Sequence, residues 1–462
     1  MAAAPIKIED LWPCLQGMIP AVLSTCSRDG IPNITFISQL YYVDAGHIAI
    51  SHQFFNKTHK NVREHPYACA MMLDPRTLQA YRLYLRFDHS ESSGPLFDSM
   101  SFQLQAIASH AGMTDVFRLL AADVYAIQRI ERVEGFTRLP TPPPSELPSR
   151  LFVGTDLELL RLLAERLNRC ETLGELIETA LQLLEERLNF RHAILLLADE
   201  PNGKLCTIAS RGYQENGVGS EVGYGDGLIG MVARARRALC LSAIDHSLRY
   251  ARAVRERAEA VAGAEAVCRE IPLPGLANAT SQIAVPLVTR SRLIGVLAIE
   301  STDPMAFMPR EDSLLTVIAA QLATSIEQLS REMDDSLAVA PVGSGAARSN
   351  GTPTRTRSFC FYRADDCVFV DGEYLIRNVP GRILWRILTQ HRDEGRVEFT
   401  NRELRMDAWL GLPEFKDNLE TRLILLRKRL EQKCPDVRLV PRGRGRFALE
   451  SDAALVLSEK EG

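Results

Sequence analysis

Residues 135–150, GFTRLPTPPPSELPSR, contain five prolines. No single core can run through them, because proline donates no backbone hydrogen bond and fixes its own φ. The stretch reads as a semi-rigid spacer of polyproline character, taken here as 135–154. A second break, residues 331–358, ends in APVGSGAARSNGTPTRTRS, poor in large apolar side chains and rich in Gly, Ser, Thr and Pro. That composition predicts an exposed, flexible segment. The two breaks divide 462 residues into units 1–134, 155–330 and 359–450, with a tail at 451–462. Each unit is of ordinary domain size.

Composition bounds the class. Hydrophobic residues at 46% and charged residues at 24% match a globular protein. No apolar run reaches the ~18 residues a membrane span needs, and no basic region followed by an apolar stretch opens the sequence, so a cytoplasmic protein is expected. The ten cysteines include no Cys-x-x-Cys pair. Zinc-type spacing is therefore missing, and buried thiols are the expected state, with one redox-sensing thiol as the alternative. Residues 359–450 carry 18 Lys+Arg against 15 Asp+Glu in a chain of net charge −4, and 416–446 alone carry ten against four. A local basic patch on an acidic protein predicts a confined polyanion contact.

In the central unit, Thr155 and Glu158 are placed as a capping box before a run with Leu157, Leu160, Leu163 and Leu167 at helical spacing. Thr172 and Glu175 open a second helix, which leads into an apolar strand, Ala193 to Ala198. A glycine-dense turn at 223–230 precedes a short helix, strands Gln282 to Thr289 and Leu293 to Ser301 follow, and a helix from Arg310 to Met333 closes the unit. The segments GDGLIGMVA (225–233), SQIAVPL (281–287), LIGVLAIES (293–301) and FMPREDSLLTVIAAQLATSIEQL (307–329) together resemble a GAF domain. That resemblance implies a small-molecule sensor and leaves the ligand unspecified. The stretch Arg249 to Arg269, rich in Ala, Arg and Glu, has high helix propensity, and the resemblance implies that it covers the ligand pocket, with His246, Arg249 and Tyr250 as lining residues or simply as parts of a surface lid. His192 and His246 have no companion ligands at metal spacing, so no metal is expected. Leu315, Leu322 and Leu329, seven apart, fit either a core-facing helix or a coiled coil that would make a homodimer.

The first unit shows β-rich runs at Ile19 to Thr25, Asn33 to Val43 and Gly46 to Ser51, joined at Asp29-Gly30 and Asp44-Ala45-Gly46, with further strands near Ala68 to Leu73 and Arg82 to Phe87. An antiparallel barrel or sandwich is predicted. The segments IPAVLSTCSRDGIPNITFISQ (19–39), SHQFFNKTHKNVREHP (51–66) and AIASHAGMTDVFRLLAADVYAI (106–127) resemble the pyridoxamine-phosphate-oxidase-like, flavin-binding split barrels. The resemblance implies FMN, with its phosphate at Lys57 and Thr58 and its ring near Thr35, Phe36, Ser38 and Gln53. It also implies a dimer with the cofactor between subunits. Taken by themselves, Lys57, Thr58 and His59 make an exposed turn. The enzymes usually carry a second basic residue where Thr58 stands, and their C-terminal substrate-binding segment has no match, which speaks against oxidase catalysis.

In the last unit, short strands at Cys360 to Tyr362 and Cys367 to Val370 precede a helix over Pro380 to His391. Thr400 and Glu403 cap a second helix, Asp417 and Glu420 open a third, and two strands flank Arg442-Gly443-Arg444-Gly445. The segments NVPGRILWRIL (378–388), FTNREL (399–404), LETRLILLRKRL (419–430) and LVPRGRGRFAL (439–449) resemble the winged-helix DNA-binding domain of OmpR/PhoB-type response regulators. By that resemblance Arg422, Arg427, Lys428 and Arg429 serve a recognition helix, and Arg442 and Arg444 a wing. Ile424 and Leu425 depart from the polar or basic residues common there and cannot hydrogen-bond a base edge. They would touch thymine methyls or a partner protein.

The sequence thus predicts a multidomain α+β protein: split β-barrel, GAF α/β sandwich and C-terminal winged helix. The expected role is a one-component cytoplasmic regulator that senses a small molecule or redox state and binds double-stranded DNA as a homodimer. The alternatives are a flavin-dependent oxidoreductase regulated by its other domains, and a barrel that serves only as a dimer interface.

Overall fold

The computed structural model of the protein describes residues 5–16, 19–37, 40–52, 56–110, 119–135, 155–214, 217–242, 273–290, 292–335, 355–363, 366–410, 419–443 and 445–460. The N-terminal domain contains α1 (Trp12–Leu15), β1 (Ala21–Cys26), β2 (Pro32–Ile37), β3 (Leu40–Asp44), β4 (His47–His52), α2 (Asn56–Glu64), β5 (Tyr67–Leu73), β6 (Ala80–Glu91), α3 (Pro95–His110) and β7 (Ala121–Val133). Its strands form one antiparallel sheet in the order β2-β1-β5-β6-β7-β4-β3. Leu23, Ile37, Ile48, Ile50, Ala70, Met72, Leu83 and Leu85 turn inward to one core. The predicted turn at Asp29-Gly30 is present, with Gly30 at φ +80°, a conformation that glycine adopts without a Cβ penalty. The run expected as one strand, 33–43, is instead two: β2 pairs with β1 at one edge and β3 with β4 at the other. Continuous β propensity does not reveal a chain that changes edge.

The central domain contains α4 (Asp156–Leu167), α5 (Leu173–Leu188), β8 (His192–Asp199), β9 (Lys204–Arg211), β10 (Glu221–Gly223), α6 (Gly227–Ala235), β11 (Leu239–Leu241), β12 (Ser281–Thr289), β13 (Arg292–Ser301) and α7 (Pro309–Asp335). The sheet order is β10-β9-β8-β13-β12-β11. Strand alternation divides its two faces. Leu195, Leu197, Ile283, Val285, Leu297 and Ile299 pack with α4, α5 and α7, whereas Ile194, Leu196, Ala284, Val296 and Ala298 pack with α6. Thr155 and Glu158 close the expected capping box; of the capping box expected at Thr172 and Glu175 only one half forms, since Thr172 accepts from the Glu175 amide while the Glu175 carboxylate accepts from the Glu171 amide instead. Leu315, Leu322, Ile318 and Ile326 are buried against this core and Leu329 partly so, as the core-facing reading of the heptad stripe expects. At the glycine turn, a Cβ on Gly230 would lie 2.2 Å from the Gly223 carbonyl oxygen. Only glycine lets the first turns of α6 approach that loop so closely.

The second face also receives the N-terminal domain. Ala106 of α3 is buried among the α6 residues Leu228, Ile229 and Val232. Phe102 of α3 lies under the Arg237 guanidinium at 6.0 Å, and the Ser242 hydroxyl donates to Gln16 Oε1 at 3.1 Å.

The C-terminal domain contains β14 (Thr356–Tyr362), β15 (Cys367–Val370), β16 (Glu373–Ile376), α8 (Asn378–Glu394), β17 (Glu398–Thr400), α9 (Asn401–Met406), α10 (Leu419–Lys433), β18 (Val437–Pro441), β19 (Arg446–Ser451) and β20 (Ala454–Lys460). Thr400 and Glu403 form the expected capping box, and β18 and β19 form the expected hairpin. One boundary is corrected. Residues 451–462, read as a tail, include β20, which pairs in parallel with β14 from Thr356↔Ala454 to Tyr362↔Lys460. A sheet in the order β16-β15-β14-β20 results. The segment 331–358 is likewise shortened at both ends, since α7 runs to Asp335 and β14 begins at Thr356.

Candidate functional site

The first turns of α2 direct three consecutive side chains to different places. Lys57 is exposed. Thr58 is buried and accepts from Asn33 Nδ2 of β2 at 3.0 Å, and Asn33 also reaches Thr25 at 3.3 Å. His59 turns to β7, where its Nδ1 lies 3.0 Å from Asp123 Oδ2. Of the residues expected around a flavin, Thr35 is half-buried and Phe36 is 71% exposed on the edge strand β2. Ser38 and Gln53 lie outside the described residues. The fit to an FMN phosphate therefore rests on Lys57, an exposed cation at the start of a helix, where backbone N–H groups also favour an anion. Thr58 faces β2. It ties α2 to β2 through Asn33 and retains its own hydroxyl proton.

Sequence reasoning missed the neighbouring cluster. His52 at the end of β4 stacks on His59 with ring centroids 4.2 Å apart and planes 20° apart. One nitrogen or oxygen from each of His52, His59 and Asp123 falls within 4.8 Å of the other two. Ser90 of β6 donates to the second Asp123 oxygen, Oδ1, at 2.6 Å. Among the described residues His52 Nε2 is buried without a hydrogen-bond partner, and burial holds the His52 pKa below its ordinary value. No spacing in the sequence points to the cluster, because 64 positions separate His59 from Asp123 and only the sheet brings them together.

The basic helix α10 is enclosed. Ile424 and Leu425 are 6% and 5% exposed. Leu425 shares a crevice with Leu197, Cys206 and Ile208 of the central sheet, and Ile424 shares another with Glu171, Gly174 and Leu329. These two side chains are apolar because the central domain covers them. Lys428 Nζ meets Glu178 Oε1 at 2.7 Å, and an Arg422 nitrogen lies 3.8 Å from Asp199 Oδ1. Arg377 and Asn378, just before and at the start of α8, both donate to Glu221 at 3.0 Å. Burial pushes the Glu221 carboxyl up, but Lys204 and Arg377 outweigh it and hold the group below the ordinary glutamate value of 4.5.

Of the other residues expected at DNA, Arg427 pairs with Glu420 at 3.0 Å, and Arg442 with Glu450 at 2.6 Å. Arg429 does not project at all: it is 6% exposed, donates to the Leu375 carbonyl at 2.9 Å, and burial lowers its pKa. Its expected place on a reading face is corrected, because Arg429 secures α10 to β16. Arg444 lies outside the described residues.

On the central sheet, Gln282 Nε2 donates to Glu300 Oε1 at 3.1 Å, and the Leu276 amide donates to Glu300 Oε2 at 2.7 Å. His192 and Tyr213 pair edge to face at 5.5 Å. His246, Arg249, Tyr250 and the expected lid helix lie outside the described residues.

Residues 11–128 match the pyridoxamine 5'-phosphate oxidase family, and residues 170–327 match the GAF domain family. The chain thus contains a split barrel of the first kind and a GAF domain. Among solved structures, the GAF domain of an Acinetobacter phosphoenolpyruvate-protein phosphotransferase is 22% identical. The match covers 38% of this chain and 95% of that one, with a TM-score of 0.30. An FMN-binding protein from Syntrophomonas wolfei subsp. wolfei is 22% identical over 28% of this chain and 88% of its own, with a TM-score of 0.23. A free methionine-R-sulfoxide reductase from Neisseria meningitidis, in complex with its substrate, is 18% identical over 39% and 96%, with a TM-score of 0.31. No curated protein is similar to the chain.

Proposed function

We propose that the protein is a one-component cytoplasmic transcriptional regulator whose GAF domain holds a C-terminal winged helix away from double-stranded DNA until a ligand releases it. The observation that carries this reading is the enclosure of α10. Its would-be reading face, with Arg422, Leu425 and Lys428, lies on the GAF domain, and carboxylates of that domain stand opposite its basic side chains. Burying Ile424 and Leu425 contributes about 1.5–3 kcal/mol each. The half-exposed Lys428–Glu178 pair adds only about 0–1 kcal/mol. The apolar pair therefore holds the helix, and the ion pairs orient it. A ligand that binds the open form better shifts the balance by its difference in affinity for the two forms.

The barrel supplies a second input. FMN would take Lys57 as its phosphate anchor, and α3 against α6 is the route by which the barrel would bias the GAF domain. Subunits would meet at the barrel, where β2 leaves Ile34 and Phe36 67% and 71% exposed on one edge.

The test uses the full chain and its double variant Glu178→Lys/Glu221→Lys, titrated against random-sequence duplex DNA. Removing the pairs raises the population of open helix, and apparent affinity scales with that population, so a gain of about 3- to 30-fold is expected. Equal affinity of the two proteins at low salt would overturn the masking.

A further inference from the structure

We propose that His52, His59 and Asp123 bind a first-row divalent transition-metal ion through two imidazole nitrogens and one carboxylate oxygen. Three observations converge. The donor atoms already lie within 4.8 Å of one another, with His59 Nδ1 and Asp123 Oδ2 at 3.0 Å. Bonds of ~2.0–2.2 Å to a shared ion fit these separations after small shifts. His52 Nε2 is buried without a partner among the described residues, an unfavourable state for a polar nitrogen, and coordination supplies the missing partner. Ser90 occupies Asp123 Oδ1 at 2.6 Å and leaves Oδ2 facing the imidazoles, the outer hydrogen bond by which ligating carboxylates are held in place.

An ordinary ion pair accounts for less. A His59 imidazole bonded to Asp123 uses one ring and leaves the His52 lone pair unused in the same space. Two nitrogens and one oxygen select zinc, iron, cobalt or nickel over magnesium or calcium, which prefer oxygen alone. Three protein ligands also leave room for water or an exogenous ligand. The near-parallel stack does not aim both lone pairs at one point, so loading turns the His52 ring about its Cβ–Cγ bond. That torsion is broad and needs no backbone change. The ion would lie on the β7 side of α2, whereas Thr58 faces β2, and the inference does not depend on flavin.

The experiment strips the full chain with a chelator, loads it with Co²⁺ or Zn²⁺, removes free ion and measures retained metal, with flavin content read separately by absorbance. About one ion per chain is expected, Co²⁺ giving visible ligand-field bands that Zn²⁺ abolishes. His52→Ala and Asp123→Asn should lose retention, Ser90→Ala should weaken affinity by about 10- to 100-fold, and the remote His192→Ala should leave it unchanged. Circular dichroism checks that each variant folds, and Ser90→Ala carries the comparison if the ligand variants do not. Wild-type protein that retains less than about a tenth of an ion per chain would overturn the site, as would a folded His52→Ala that retains as much as wild type.

Discussion

Lys428 of α10 and Glu178 of α5 belong to different domains, 250 positions apart, and meet at 2.7 Å. A helix with the composition of a nucleic-acid reader is thus paired, in this state, with its own chain. The consequences can be measured.

The first concerns pH. The Glu221 carboxyl is held below its ordinary value by Lys204 and Arg377. Its contribution is therefore fully present above the ordinary value of 4.5 and is lost as pH falls through the lowered native value. Lowering the pH through that window should loosen the contact between the GAF and C-terminal domains, read as reduced amide-exchange protection, relative to the unstructured rate at the same pH, around Arg377 and Asn378. The Glu221→Gln variant should lose this dependence. If protection there is unchanged on acidification while both domains stay folded, the pairing is not what holds α8 in place.

The second concerns flavin. Lys57→Ala should weaken FMN retention by about 1.5–3 kcal/mol, the usual worth of a hydrogen bond to a charged group. Thr58→Val should act differently, lowering stability through the Asn33 bond with a smaller effect on FMN. Equal flavin content in wild type and Lys57→Ala, measured after gel filtration, would remove the phosphate assignment.

The third concerns assembly. Phe36→Asp should shift the protein from dimer to monomer in light scattering at micromolar concentration, because its exposed ring lies on the β2 edge. Leu322→Ala should leave the oligomeric state alone and destabilise the GAF core by about 2–5 kcal/mol in denaturant unfolding, as truncation of a fully buried leucine does. A Leu322→Ala monomer that unfolds like wild type would move the interface to α7.

The fourth concerns DNA. If about five basic side chains neutralise phosphates, the slope of log affinity against log salt should be near −4 to −5. Arg442→Ala should reduce it by about one and weaken all sequences alike, whereas Arg422→Ala should also relax sequence preference. A flat salt response in the released double variant would identify the C-terminal domain as a docking module for another protein.

Much of the fold was legible because its signals are local. The Thr155/Glu158 and Thr400/Glu403 capping boxes and the strands β12 and β13 announce themselves within a few residues. What escaped depends on distance along the chain. The parallel pairing of β20 with β14 has no connecting turn to mark it. Lys57 could be proposed from a motif, but the His52, His59 and Asp123 cluster exists only through the pairing of β4 with β7. Ile424 and Leu425 were visible as an anomaly, and their explanation lay in another domain.

The pairing of β20 with β14 bears on how the C-terminal domain can be isolated. A fragment cut at 359 and 450, the limits that the motifs suggest, begins inside β14 and removes β20 entirely. The remainder of β14 would then present bare amides and carbonyls along a rim where Phe359 and Phe361 are native core residues, and such a rim recruits strands from other molecules. A fragment spanning 355–460 keeps the rim covered. Clumping of the shorter piece would reflect its boundaries and carry no information about the domain's partners.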